Sequence, residues 1–488
     1  MILYIIVFTI IVVAIKSEFI NRQAELEYLE AEYAKADFRF ISIIGRRRLG
    51  KTRLIREFLK DKPNSSFLLI PELNDSQARL EIAKNLHQNF GLSFFGTPHW
   101  EDIFEQLFQY SRQHRIILVF DEFQRFLGIN KDIFSKMQKY IDEYGPDSQM
   151  FLLVCGSSIG MMHSIFDHAS PLYGRRTGQL MFEALDFFAL DEWFPDFDIE
   201  SRVNIYVIYG GTPKYLEEVE SEDIAGNINR ILDKTSILYN EPDILLKTEI
   251  SDSNTYFSIL KNIAQGMTKS SEIANSSGIK TTSIDYYLNV LINDLDLVKK
   301  EIPVTESRKS KKTLYRMKDN FFRFWFKFLY PNLSEIEIGN TSVVADHILS
   351  ELNRFAGHTF EDITKQFLIK LNKQDKLNFK FSKIGKQWGR YQKSRGKNTY
   401  EIDLVALNEK TRQILFCECK WQNKLVDVDV LQSLIDKSRL VDWYNMERSE
   451  YFMIVSKSGF TEQARQFAEE HDFVLYTLAD MQTCFLSL

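Results

Sequence analysis

Hydrophobic and polar positions follow different periods in successive parts of this chain. Between Phe38 and Leu185, short continuous apolar runs recur as "FRFISII", "SSFLLI", "RIILVF", "MFLLVC" and "GQLMFEAL". Most are separated by stretches in which apolar residues return every three to four positions. Buried strands alternating with amphipathic helices predict a helix-covered parallel sheet, an α/β domain over 19–189. The helix pattern "INRQAELEYLEAEYAKA" precedes its first strand.

From 190 to 250 the period is helical throughout, interrupted at "YGGTPKYLEEV", and reads as a helical lid. Residues 251–335 read as helix, short helix, longer helix and two strands about a basic loop, followed by the aromatic stretch "FFRFWFKFLYPNLSE". That order predicts a winged helix-turn-helix. From 343 to 488 strand and helix patterns alternate again, predicting a second α/β domain. No long repeat or low-complexity tract appears.

Composition agrees with several folded domains. The 488 residues allow roughly three domains, and 44% hydrophobic content lets each bury a core. Only ten prolines leave little room for long disordered linkers. Cys155, Cys417, Cys419 and Cys484 form no CxxC pair, which points to a reducing, cytoplasmic compartment and no zinc site. A net charge of −6 argues against a wholly basic nucleic-acid binder. It averages over two basic runs, however: Lys299 to Lys318, with eight basic and two acidic residues, and Lys376 to Asn398, with eight and none. The opening "MILYIIVFTIIVVAI", within 1–18, is shorter than the roughly 20 residues a spanning helix needs. It reads either as a short membrane tether ending at Lys16 or as an extension of a soluble protein.

The sharpest chemical signal is "GRRRLGKT", Gly45 to Thr52, placed between a buried strand and an amphipathic helix. This matches GxxxxGK[ST], in which loop N–H groups and a helix N-terminus converge on phosphate. Gly45, Arg46, Arg47, Arg48, Leu49, Gly50, Lys51, Thr52 and Arg53 are the candidate ATP contacts. Lys51 offers charge to the β and γ phosphates, and the Thr52 hydroxyl a ligand to Mg²⁺. "RIILVFDEF" ends a strand with two carboxylates, Asp121 suited to the Mg²⁺ shell and Glu122 to polarising water. Ser157 and Ser158, ending "MFLLVCGSS", are either γ-phosphate sensors or turn residues. Arg175 and Arg176 either stabilise transition-state charge, in cis or from a neighbouring copy in a homo-oligomer, or lie in a solvated loop.

The combination of "FINRQAELEYLEAEY", "GRRRLGKT", "LVFDEFQ", "SPLYGRRTGQL", "GGTPKYL" and "DNFFRFWFKFLYPN" resembles the archaeal-type ATPase family, related to AAA and STAND signal-transduction ATPases. The resemblance implies a P-loop fold binding ATP with Mg²⁺, and matches Pro213 to a lid motif that approaches adenine. The apolar opening departs from the family pattern.

In the last domain "NTYEIDLVALNEKTRQILFCECKW" places Asp403 on one strand and Glu418 with Lys420 on the next, and Glu361 lies on a preceding helix. Asp403, Glu418 and Glu361 are candidate Mg²⁺ ligands and Lys420 a candidate catalytic lysine. Helix with Glu, strand with Asp and strand with Glu-x-Lys resembles the PD-(D/E)xK nucleases, which implies a restriction-endonuclease-like α/β domain. The same residues also read as a surface ion cluster. Thr281, Thr282, Ser283, Tyr286 and Tyr287, with Arg308, Lys309, Lys311 and Lys312, make DNA the expected partner. The expected function is ATP hydrolysis controlling a DNA-binding winged helix and a nuclease-like domain. The rivals are a regulatory switch or scaffold with a silent C-terminal domain, and a membrane-tethered ATPase acting on proteins.

Overall fold

A computed structural model describes residues 19–250, 252–307, 309–392 and 397–486. The apolar opening segment, Arg308 and residues 393–396 of the second basic run lie outside the described residues. Among the described residues no helix is long and apolar enough to cross a membrane.

The chain divides into two compact units. Of the described residues, the first holds those from 19 to 185 together with Thr212–Glu217 and Asn289–Asp296; the second holds Asp186–Gly211, Glu218–Leu288 and those from 297 to 486. Residues 190–250, expected as a lid, are thus divided between them.

The first unit is built on β1 (Arg39–Ile44), α1 (Lys51–Leu59), β2 (Ser65–Leu69), β3 (Ile117–Asp121), β4 (Phe151–Gly156), α2 (Ile159–Ile165) and β5 (Gly178–Met181). All strands are parallel, in the order β2-β3-β4-β1-β5. Central strands β3 and β4 are buried along their whole length, which is why they read as unbroken apolar runs. Alternate residues serve opposite faces: Phe40, Leu118, Phe120, Leu152 and Val154 join one core, and Ile41, Ile43, Val119, Leu153 and Cys155 the other. Because β4 lies between β1 and β3, Ser157 emerges between the loop after β1 and the carboxylates ending β3.

The second unit contains α3 (Ser253–Ala264), α4 (Ser270–Ser276), α5 (Ile284–Asn289) and the antiparallel ribbon of β6 (Val298–Glu301) and β7 (Leu314–Met317). Helix α6 (Asn320–Phe324) leads into an aromatic turn whose Trp325 is buried and donates to the Tyr239 carbonyl at 2.7 Å. The 33-residue α7 (Thr341–Lys373) follows. Then come β8 (Lys383–Gln392), β9 (Lys397–Asn408), β10 (Gln413–Lys420), α8 (Val428–Ser438), β11 (Ser449–Ser456) and β12 (Phe473–Thr477). They form a mixed sheet in the order β12-β11-β10-β9-β8, an antiparallel meander joined to a parallel half. In the connection between β6 and β7, Val304 N donates to the Lys386 carbonyl on the edge strand β8 at 2.9 Å.

Candidate functional site

The Gly45–Thr52 loop joins β1 to α1. Gly45 leaves no room for a side chain, since a Cβ there would stand 2.3 Å from the Phe182 carbonyl oxygen. Gly50 caps α1 at φ +96°, a conformation open to glycine and strained for other residues. Pro213 stands over this point, its Cγ 4.0 Å from where a Gly50 Cβ would be. Leu49 is buried and anchors the loop, Arg46 and Arg48 are half-buried, Arg47 is exposed and Arg53 lies on the first turn of α1.

Lys51 is buried, and its Nζ donates to the Gly45 carbonyl at 2.6 Å and the Arg46 carbonyl at 2.7 Å. Burial lowers its pKa, opposed by the charges of Glu122 and Asp121. Thr52 Oγ1 donates to Asp121 Oδ2 at 3.1 Å, so helix and strand end meet at one point. A hydroxyl and a carboxylate side by side form a hard-oxygen donor set that fits Mg²⁺.

Glu122 adopts φ +56°, the left-handed region that a non-glycine residue occupies only when its surroundings hold it. Its Oε2 accepts from Ser157 Oγ at 2.8 Å and from Gln124 Nε2. Arg47 Nε reaches the same hydroxyl at 3.4 Å. Loop arginine, Ser157 and Glu122 therefore form one chain of polar contacts. Gln124 is a partner that the sequence reading passed over. Its signal was available, two positions beyond Glu122 in "DEFQ".

Arg175 and Arg176 are not brought to the loop. Arg175 makes a two-pronged pair with Asp142, at 2.8 and 2.7 Å, and Arg176 donates to Ser42 Oγ and Gln179 Oε1 near the start of β5.

In the second unit Leu404 pairs with Cys417, so Asp403 and Glu418 are the next positions along adjoining strands. Asp403 Oδ2 accepts from Cys419 N at 2.9 Å. Burial, together with the charges of Glu418 and Glu361, pushes the Asp403 pKa up to about 7. Burial would raise Glu418 as well, but Lys420 and Lys437 hold it below the usual carboxylate range. Lys420 Nζ lies 2.6 Å from one Glu418 oxygen and Lys437 Nζ 2.5 Å from the other. Lys437, on α8, carries no signal in the strand motif and was missed. Glu361 is turned to Lys386, at 2.5 Å, and His358, at 3.3 Å. Among the described residues no three His, Cys, Asp or Glu side chains are gathered so as to hold a metal.

Residues 19–219 match the family described as an ATPase domain predominantly from Archaea. An uncharacterized protein of Methanocaldococcus jannaschii is 35% identical over 469 residues, covering 95% of this chain and 99% of that one. The chain belongs to the archaeal-type ATPase family. The archaeal-type ATPase domain ends near the Pro213 turn, and residues 325–432 match a second family, described as archaeal and bacterial proteins of unknown function. An uncharacterized ATP-binding protein of the same organism is 48% identical over 44 residues, 9% of this chain and 75% of its own. Among solved structures, a Walker-type ATPase of Pyrococcus abyssi covers 63% of this chain and 96% of its own at a TM-score of 0.50 and 19% identity, a likeness of fold.

Proposed function

We propose that the protein binds ATP with Mg²⁺ at the Gly45–Thr52 loop, hydrolyses it through Glu122, and uses nucleotide state to control a DNA-binding winged helix and a nuclease-like C-terminal domain. The observation that carries the first part is the Thr52–Asp121 hydrogen bond beside buried Lys51. Loop N–H groups and the N-terminus of α1 cradle the phosphates, and Lys51 exchanges its loop carbonyls for β and γ oxygens. Thr52 and Asp121 would hold Mg²⁺, which neutralises charge developing on the phosphates. Glu122 orients the attacking water, Ser157 senses the γ-phosphate from the strand between, and Pro213 approaches the adenine side. Replacing Ser157 by Ala is expected to lower kcat by about tenfold with KM little changed, the signature of a contact made in the transition state. Equal loss in kcat and rise in KM would remove it from that role.

Ser157 is followed by α2, and a Cβ at Gly160 would stand 2.5 Å from Asp294 Oδ1, at the end of the Val290–Asp294 turn that continues α5. The exposed Thr281, Thr282 and Ser283 precede α5, and the exposed Tyr286 lies on its first turn. The exposed Lys309, Lys311 and Lys312 suit a DNA backbone.

Asp403 and Glu418, adjoining with Lys420 on one face, support cleavage of a phosphodiester. A second reading, a silent C-terminal domain under the same ATPase, is favoured by the two lysines that occupy both Glu418 oxygens. A DNA cleavage assay in Mg²⁺, with and without ATP, separates them. The expected result is cutting that Asp403→Ala abolishes while ATP hydrolysis continues. Metal-independent cutting, or cutting unchanged in Asp403→Ala, sinks the nuclease reading, and intact ATPase activity without any cutting selects the silent one.

A further inference from the structure

A cavity of about 510 Å³ lies within the second unit, walled by β6, β7, α6, α7, β8 and β9. Its size suits a ligand as large as a nucleotide. Most charges on its wall are already matched. Asp362 takes Lys299 at 2.8 Å, Glu301 takes Arg316 at 3.0 Å, and Lys386 serves both Glu361, at 2.5 Å, and Glu401, at 3.1 Å. Glu351 faces Arg354 at 3.8 Å.

Two cations on the same wall have no carboxylate partner among the described residues. Arg323 donates from Nη2 to Thr359 Oγ1 at 2.6 Å and more weakly to the Phe355 carbonyl at 3.3 Å, while its buried Nε has no acceptor. The guanidinium lies 4.2 Å above the Phe355 ring. Lys327, one helical turn further on, donates only to the neutral Gln265 Oε1, at 3.1 Å. The nearest acidic groups, Asp362 and Glu361, are committed to Lys299 and Lys386. Burial lowers the Arg323 pKa to about 10, still far above neutrality, so the guanidinium remains charged. A half-buried guanidinium whose Nε is buried without an acceptor and whose other hydrogen bonds go to neutral groups is costly, and an anion beside it relieves that cost.

We propose that this cavity binds the terminal phosphate of a nucleotide or of a nucleic-acid strand, held by Arg323 and Lys327. A planar fork beside a point charge one turn away matches the three oxygens of a phosphomonoester, which carries nearly two negative charges at neutral pH. Phe355 and Phe328 supply an apolar wall for the attached sugar or base. The site is distinct from the Gly45–Thr52 loop and does not depend on whether Asp403 supports cleavage.

The test uses the full chain carrying Lys51→Ala, which removes the loop as a phosphate site, in buffer containing EDTA. The probe is a short single-stranded DNA labelled at its 3′ end, with or without a 5′-phosphate, followed by fluorescence anisotropy and competed with AMP. The phosphorylated probe is expected to bind about tenfold tighter than its hydroxyl form, the value of one strong charge-assisted contact. Lys327→Glu and Arg323→Gln should each abolish that difference. Lys327 is only half-buried, so its variant tests the site even if Arg323→Gln misfolds. Competition by AMP identifies a free nucleotide as sufficient, and its failure assigns the site to strand ends. No preference for the phosphorylated probe, or the same preference in Lys327→Glu, overturns the proposal.

Discussion

Glu122→Gln is expected to reduce kcat for ATP hydrolysis by about 10²–10³-fold and leave ATP affinity within a few-fold of wild type. The amide keeps the size of the side chain and can still meet Ser157 and Gln124, but it no longer accepts a proton from water. Lys51→Ala should behave in the opposite way. It removes the buried ammonium that ties the Gly45 and Arg46 carbonyls together, and so takes away both loop shape and phosphate charge. Nucleotide binding itself should fall below detection in calorimetry. The contrast is diagnostic because both residues belong to one polar assembly: Lys51 feels the charge of Glu122, and Thr52 on the same helix meets Asp121. If Glu122→Gln hydrolyses ATP at the wild-type rate, water is activated elsewhere and Glu122 has only the structural role of closing the Ser157–Gln124 contact.

The Gly45–Thr52 loop and the strand-end carboxylates Asp121 and Glu122 were legible as candidates because each signal is local. Gly45, Gly50, Lys51 and Thr52 lie within eight residues, and Asp121 ends an apolar run long enough to be a buried strand. The strand order was less accessible. Nothing in periodicity says that β4 inserts between β1 and β3, yet that insertion brings Ser157 to Glu122. Arg175 and Arg176 illustrate the limit in the other direction. Two arginines in a glycine-flanked loop looked available for phosphate, and their partners Asp142 and Ser42 lie 33 and 134 residues away in the chain. Long-range side-chain pairing of that kind leaves no mark in local pattern. The same holds for Lys437 and Lys386, which claim Glu418 and Glu361 from other elements. The hydrogen bond from Val304, in the basic β6–β7 connection, to β8 was equally invisible in the sequence, because an exposed sheet edge offers carbonyl groups that a neighbouring segment can satisfy.

Asp403→Asn is expected to stabilise the protein at about pH 8 and to change little near pH 4. In the folded chain burial and the neighbouring Glu418 and Glu361 keep a proton on Asp403 up to about pH 7, whereas a solvated aspartate releases it near pH 4. Between those values the folded state binds more protons than the unfolded one. Stability therefore falls as pH rises through this window, and the full penalty stands above pH 7. The gain from the asparagine is on the order of 2–4 kcal/mol at the upper end, the lower figure allowing for the lysines that share the Glu418 charge. Urea unfolding of both proteins across the range, read by circular dichroism, gives the comparison directly. Mg²⁺ should raise wild-type stability at the upper end and leave the asparagine variant unmoved, since a cation between two carboxylates removes the repulsion that the amide has already abolished. Parallel stability curves for the two proteins would mean that Asp403 is ionised at neutral pH without penalty. The adjoining carboxylates would then be an ordinary ion cluster neutralised by Lys420 and Lys437, with no site for metal to relieve.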